Sequence, residues 1–218
     1  MATDKVLNDL KVGVLEFQTN VYPAMKEKYQ QAVLAPQKPH TLFITCADSR
    51  IDAETITNSG PGELFITRNI GNMVPAYGEM LGGVSAVIEY AVSALKVQHV
   101  VVCGHTDCGA MKALMHPEAA VTMPTVGSWL KNAAAALSVT SSLIEKDERP
   151  TEFMHRLTEQ NVQLQLQHLR THPSVAGAMA RNELTISGWV YDIGTGDIRI
   201  SEDGDRDFHA VGSEMTKR

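Results

Sequence analysis

The spacing of three β-forming runs constrains this chain most. HTLFIT at 40–45, LFIT at 64–67 and VVVC at 100–103 are short and apolar, with β-branched or aromatic residues throughout. HTLFIT and VVVC read as buried strands, the habit of a parallel sheet, and LFIT reads as a second strand between them. Helical pieces separate them. Ala53 to Thr57 reads as a short helix, and NSGPG at 58–62 is turn chemistry. From Gly83 to Lys96, the residues Val84, Val87, Ile88, Ala91, Val92 and Leu95 fall on one helical face. Strand, helix, strand, helix, strand predicts an α/β fold: a central, mostly parallel sheet flanked by helices.

The remainder follows the same periodicities. Trp129 to Leu143 and Glu152 to Arg170 read as helices, and Pro173 opens another that runs to about Arg181. Leu184 to Ile193 and Asp197 to Ser201 form a hairpin about Gly194-Thr195-Gly196, adding an antiparallel C-terminal edge strand. The polar tail beyond Ser201 predicts nothing further. At the other end, Leu7, Leu10, Val14 and Phe17 make an apolar helical stripe that needs something to cover it. With 218 residues, 44% of them hydrophobic, one core and one domain over 1–218 are expected, with residues 1–35 as a helical arm.

Several functions are excluded by composition. A net charge of −6 without a basic stripe disfavours nucleic acid, because phosphate contacts need clustered Lys and Arg. No apolar run is long enough for a membrane span, and the N-terminus lacks the uninterrupted apolar stretch of a signal peptide. A soluble cytoplasmic protein is expected. The three cysteines, Cys46, Cys103 and Cys108, are an odd count for a disulfide scaffold and read as metal-binding, reactive or simply buried thiols.

Two motifs stand at the ends of expected parallel strands: Cys46-Ala47-Asp48-Ser49-Arg50 and Gly104-His105-Thr106-Asp107-Cys108-Gly109. Ligand sites of open α/β sheets lie just beyond the carboxyl ends of strands, so the two can converge. Thiolate and imidazole suit zinc, and Cys46, His105 and Cys108 make three ligands with a fourth position open, the pattern of a catalytic site. Such an ion moves the ionisation of its water to roughly pH 7–9. Spacing alone leaves core cysteines and a turn histidine as the plainer alternative, with Cys103 a rival ligand placed inside its strand. Asp48 and Arg50, two apart, can pair; the carboxylate then either orients a zinc-bound hydroxide or ligates the zinc itself.

CADSR followed by GHTDCGAM resembles the β-carbonic anhydrases. PGELFITRNIGNMVP, GGVSAVIEYAVSALKVQHVVVCGH and GWVYDIGTGDI extend the resemblance over Gln37 to Ile200. THPSV and GWVYDI are similar to the bacterial type linked to cyanate metabolism. The resemblance implies zinc-dependent, reversible hydration of carbon dioxide to bicarbonate by attack of zinc-bound hydroxide, with one Zn2+ per subunit on Cys46, His105 and Cys108. It implies Asp48 and Arg50 as the catalytic dyad. Gln37 and Gly109 become substrate-binding residues, Gln37 reaching across a dimer interface, while Phe65, Ile70 and Tyr90 line an apolar pocket. It also implies a homodimer over which the N-terminal arms reach, with tetramers or larger assemblies left open. Family members with an inhibitory bicarbonate site carry tryptophan where this chain has Phe43, so Arg68 alone predicts no such site. Hydrolysis of carbon disulfide or carbonyl sulfide, and non-catalytic bicarbonate or zinc binding, are the rival functions.

Overall fold

The computed structural model describes residues 2–79, 82–144, 146–202 and 205–212. The chain divides into two compact units, Met1–Gln37 and Lys38–Arg218. In the first, α1 (Ala2–Glu16) passes through a π-helical turn, Phe17–Val21, into α2 (Tyr22–Leu34). The expected stripe is helical, and Leu7, Leu10, Val14 and Phe17 are all exposed on this arm. Along it, Phe17 packs on Tyr22 and Tyr22 on Tyr29, with ring centroids 5.9 and 5.6 Å apart.

The second unit is built on one six-stranded sheet. Its elements run β1 (Thr41–Cys46), α3 (Ala53–Thr57), β2 (Leu64–Asn69), α4 (Gly83–Glu89), β3 (His99–His105), α5 (Gly109–Met115), α6 (Pro124–Leu130), α7 (Ala134–Ser142), α8 (Pro150–Thr171), α9 (Pro173–Ala180), β4 (Thr185–Tyr191), β5 (Ile198–Glu202) and β6 (His209–Ala210). The strand order is β2-β1-β3-β4-β5-β6. The first four strands are parallel, while β5 and β6 join antiparallel. Thus the expected α/β class and mixed sheet are present. One placement changes: β5 is not the edge, because His209 and Ala210 in the polar tail pair with it. Two residues carry too little apolar patterning to register as a strand in sequence.

Two helices also differ from expectation. The segment expected as one helix from Trp129 to Leu143 is broken at Lys131–Ala133, a 3-10 turn between α6 and α7. The helix begun by α4 continues as a π-helical segment, Tyr90–Leu95, and ends on Lys96 in the left-handed region (φ 58°).

Packing follows from the burial. All six residues of β1 are buried, as are Val100 to His105 of β3. On one face Leu42, Ile44, Val100, Val102 and Ile186 meet Val162, Leu166 and Leu169 of α8. On the other, Phe43, Val101 and Cys103 form a smaller core with Trp189, whose ring meets Phe43 edge-on at 5.7 Å. Pro150 in the first turn and the Glu152 carboxylate accepting the Arg149 N–H at 3.0 Å start α8. Where α8 crosses the sheet, the strands carry glycine. A Cβ on Gly104 would lie 2.8 Å from Val162, and one on Gly188 2.6 Å from the same side chain.

Candidate metal centre and active site

Chain order places the site. From β1 the chain moves outward to β2, then crosses to β3 on the opposite side of β1. The carboxyl ends of β1 and β3 therefore flank a switch point, where side chains face an open crevice. Cys46 is the last residue of β1 and His105 the last of β3. Cys108 follows a left-handed Asp107 (φ 59°) and precedes α5.

The ligating atoms of Cys46, His105 and Cys108 lie within 4.8 Å of one another, and all three residues are buried. The two sulfurs are 4.0 Å apart. His105 Nδ1 donates to the Thr106 carbonyl at 2.8 Å, which leaves a lone pair on Nε2. That Nε2 is buried and has no hydrogen-bond partner. Leaving a buried imidazole nitrogen unpaired costs on the order of 1–3 kcal/mol. The donor set of two sulfurs and one nitrogen is the one zinc prefers. An orphaned nitrogen aimed at two thiols is what a metal ligand set looks like in a structure that carries no ion. Cys103, the rival from spacing, lies in the core beside Phe43, and burial pushes its thiol up to about 12.

The two sulfurs face each other, and either thiol can donate to the other. The hydrogen bond from Cys108 lowers Cys46 to about 4 against its burial, with the Gly71 and Asp48 N–H groups assisting. The same bond and its own burial raise Cys108, although the Ala110 and Met111 N–H groups face its sulfur. To hold a metal dication, Cys46 and Cys108 would both have to be thiolates, and binding would release the remaining thiol proton.

Asp48 and Arg50 pair as a fork. Arg50 Nε reaches Asp48 Oδ1 at 2.9 Å and Nη2 reaches Oδ2 at 2.8 Å, while the Arg50 N–H adds a third bond to Oδ1 at 3.0 Å. This guanidinium holds the carboxyl well below the usual carboxylate range. Asp48 Oδ2 stands 4.0 Å from His105 Nε2, at the mouth of the ligand cluster. Asp107 was not singled out from sequence, yet its Oδ2 takes Arg50 Nη1 at 2.9 Å while Lys112 pairs with its other oxygen.

Arg68 is engaged with the first motif. Its guanidinium donates to the carbonyls of Cys46 (3.1 Å) and Asp48, fastening the first motif to β2. The residues of the expected pocket are only partly gathered. Phe65 and Tyr90 rings sit 5.9 Å apart, and Ile70 and Tyr90 are 43% and 50% exposed. Gly109 is exposed, and a Cβ there would meet nothing within 4 Å, so space lies open before it. Gln37 belongs to the arm unit and is exposed.

Two buried thiols and an imidazole at a sheet switch point, with an ionised carboxylate at their mouth, form a donor set that could hold a soft metal ion. The family described as carbonic anhydrase matches residues 41–198. A carbonic anhydrase of Pseudomonas aeruginosa is 43% identical over 93% of this chain and 90% of its own length. Among solved structures, the β-carbonic anhydrase CcaA superposes with a TM-score of 0.88 at 33% identity, covering 96% of this chain and 93% of its own. One of two tetrameric β-carbonic anhydrases from Sordaria macrospora gives 0.71 at 29%, covering 93% and 96%. The chain belongs to the carbonic anhydrase family, in its β class, and is an enzyme of carbon dioxide hydration.

Proposed function

We propose that this enzyme hydrates carbon dioxide on one zinc ion per subunit, held by Cys46, His105 and Cys108. The observation that carries the proposal is the buried, unpartnered Nε2 of His105 aimed at two sulfurs. Zinc bound there supplies a Lewis acid that makes hydroxide available near neutral pH. The chain's own groups then orient the reactants. Asp48, fixed and kept ionised by Arg50, has only acceptor atoms, so it takes a hydrogen bond from the nucleophile and turns its free lone pair towards carbon. Asp107 braces the far side of the Arg50 guanidinium. Phe65, Ile70 and Tyr90 offer an apolar wall to a substrate without a net dipole. The Gly109 N–H receives the oxygens on which charge develops, together with the partner subunit's Gln37 reaching across the dimer interface.

Half-exposed Ile70 and Tyr90, and an arm with exposed leucines, support a homodimer in which a second subunit covers both. No helix among the described residues is long and apolar enough to cross a membrane. Three free cysteines support a reducing, cytoplasmic setting. The THPSV and GWVYDI strings support a place among the bacterial cyanate-linked enzymes. Asp48→Asn tests the dyad. It preserves shape but leaves an amide beside the nucleophile, so turnover should fall about 10–100-fold with zinc retained. Undiminished turnover removes Asp48 from the mechanism.

A further inference from the structure

The segment after β2 is irregular yet buried. Gly71 and Asn72 are both left-handed (φ 78° and 50°), and residues 71–75 are all buried. Buried irregular backbone needs partners for its polar groups, and here side chains from distant elements provide them. Trp129 Nε1 on α6 donates to the Ile70 carbonyl at 2.8 Å. Asn161 Nδ2 on α8 donates to the Gly71 carbonyl at 3.2 Å. Gln165 accepts the Val74 N–H at 2.8 Å and donates to Asn161 Oδ1 at 2.8 Å, which fixes the Asn161 amide.

The Ile70 carbonyl and the Gly71 N–H belong to one planar peptide. Trp129 holds the oxygen end. The nitrogen end faces the sulfur of Cys46. Ala110 and Met73 fill the space beside Gly71 where a side chain would stand, since a Cβ there would lie 2.7 Å from Ala110 and 2.9 Å from Met73. One peptide thus relays a hydrogen bond from an indole to a ligand sulfur, and donation at its oxygen strengthens donation at its nitrogen.

We propose that Trp129 is a positioning residue for the metal ligand Cys46, acting through the Ile70–Gly71 peptide, and that Asn161 supports it from the following peptide by holding the Gly71 carbonyl. The proposal rests on the zinc reading above and adds to it. A hydrogen bond to a ligand sulfur lowers the energy of its lone pairs and orients it, and losing such outer partners typically costs 10–100-fold in metal affinity. Nothing in the bare ligand spacing points to these two side chains.

The test uses the full-length protein, loaded with zinc or cobalt, as Trp129→Phe and Asn161→Ala. Phenylalanine keeps the ring and removes the N–H donor; alanine removes the second tether independently. Gln163→Leu is the control on the opposite face of α8, where Gln163 donates to Ser201 Oγ at 2.8 Å. Zinc affinity is read by competition with a chromogenic chelator. Cobalt protein also reports the thiolate-to-cobalt charge-transfer band. Both variants should lose about 10-fold in zinc affinity, and the band should move to longer wavelength. Gln163→Leu should change thermal stability and neither readout. Either Trp129→Phe or Asn161→Ala with wild-type zinc affinity and an unmoved band overturns the proposal. So does an equal change in the Gln163→Leu control. A wild-type chain that binds neither metal overturns the zinc reading itself, and this inference with it.

Discussion

Replacing Gly104 by alanine would drive a methyl group into α8 one residue before His105, the proposed metal ligand. The new Cβ would sit 2.8 Å from Val162 Cγ2 and 3.0 Å from Thr158 Cγ2. Carbon pairs prefer about 3.5–4.0 Å, so the helix or the strand must yield by roughly 0.5–1 Å. Neither side yields easily: Val162 is fully buried and Gly188 presses on the same side chain from β4. Overpacking of this kind costs about 1–3 kcal/mol. In a chain of this size that lowers the unfolding midpoint by roughly 2–12 °C. Thermal unfolding of the metal-free protein measures it. Adding Val162→Ala removes the nearer obstacle, so the double variant should be less destabilised than the summed singles by about 0.5–3 kcal/mol. A Gly104→Ala protein that melts within 1 °C of wild type, or strict additivity of the pair, would refute close packing as the reason for glycine.

Further outcomes follow from the same geometry. Arg68→Lys keeps the charge but cannot fork onto two carbonyls, so hydration should fall several-fold with zinc still bound; unchanged turnover would show that the Cys46–Asp48 loop holds itself. Burial lowers the ionisation of His172 and of His99, so the folded state keeps them neutral while the unfolded chain protonates below about pH 6.5. Their contribution is full above that value and lost as pH falls towards the depressed folded one. The unfolding free energy should therefore drop between about pH 7 and 5, by at most about 1.4 kcal/mol per pH unit per histidine. His172→Gln, which retains a donor for the Pro75 carbonyl, should flatten part of that slope; an unaltered slope would assign it elsewhere.

How far the sequence reached depended on the range of the interaction. Strands β1 and β3 were legible because continuous burial writes itself as continuous apolar sequence, and β2, a half-buried edge strand, because most of its LFIT run is β-branched or aromatic. Cys46 and His105 were legible as a pair of strand ends, since parallel order brings such ends together. Asp48 and Arg50 were readable because two residues at one turn pair locally. By contrast, β6 is too short to pattern, and the break between α6 and α7 falls within an alanine-rich stretch that favours helix throughout. Arg68 stood in plain view, but its partners lie 22 and 20 residues away. The bonds that hold Ile70 and Gly71 span 59 and 90 residues. Trp129 and Asn161 offer only ordinary helix residues to a reader of sequence, and tertiary packing alone gives them their targets.

Stopped-flow hydration of carbon dioxide by the zinc-loaded protein, from about pH 6.5 to 9, tests the central claim most directly. Three buried ligands and an ionised Asp48 beside an open position predict rapid turnover that rises through one ionisation. Zinc bound one per chain with no hydration above the buffer rate at any pH would contradict the account.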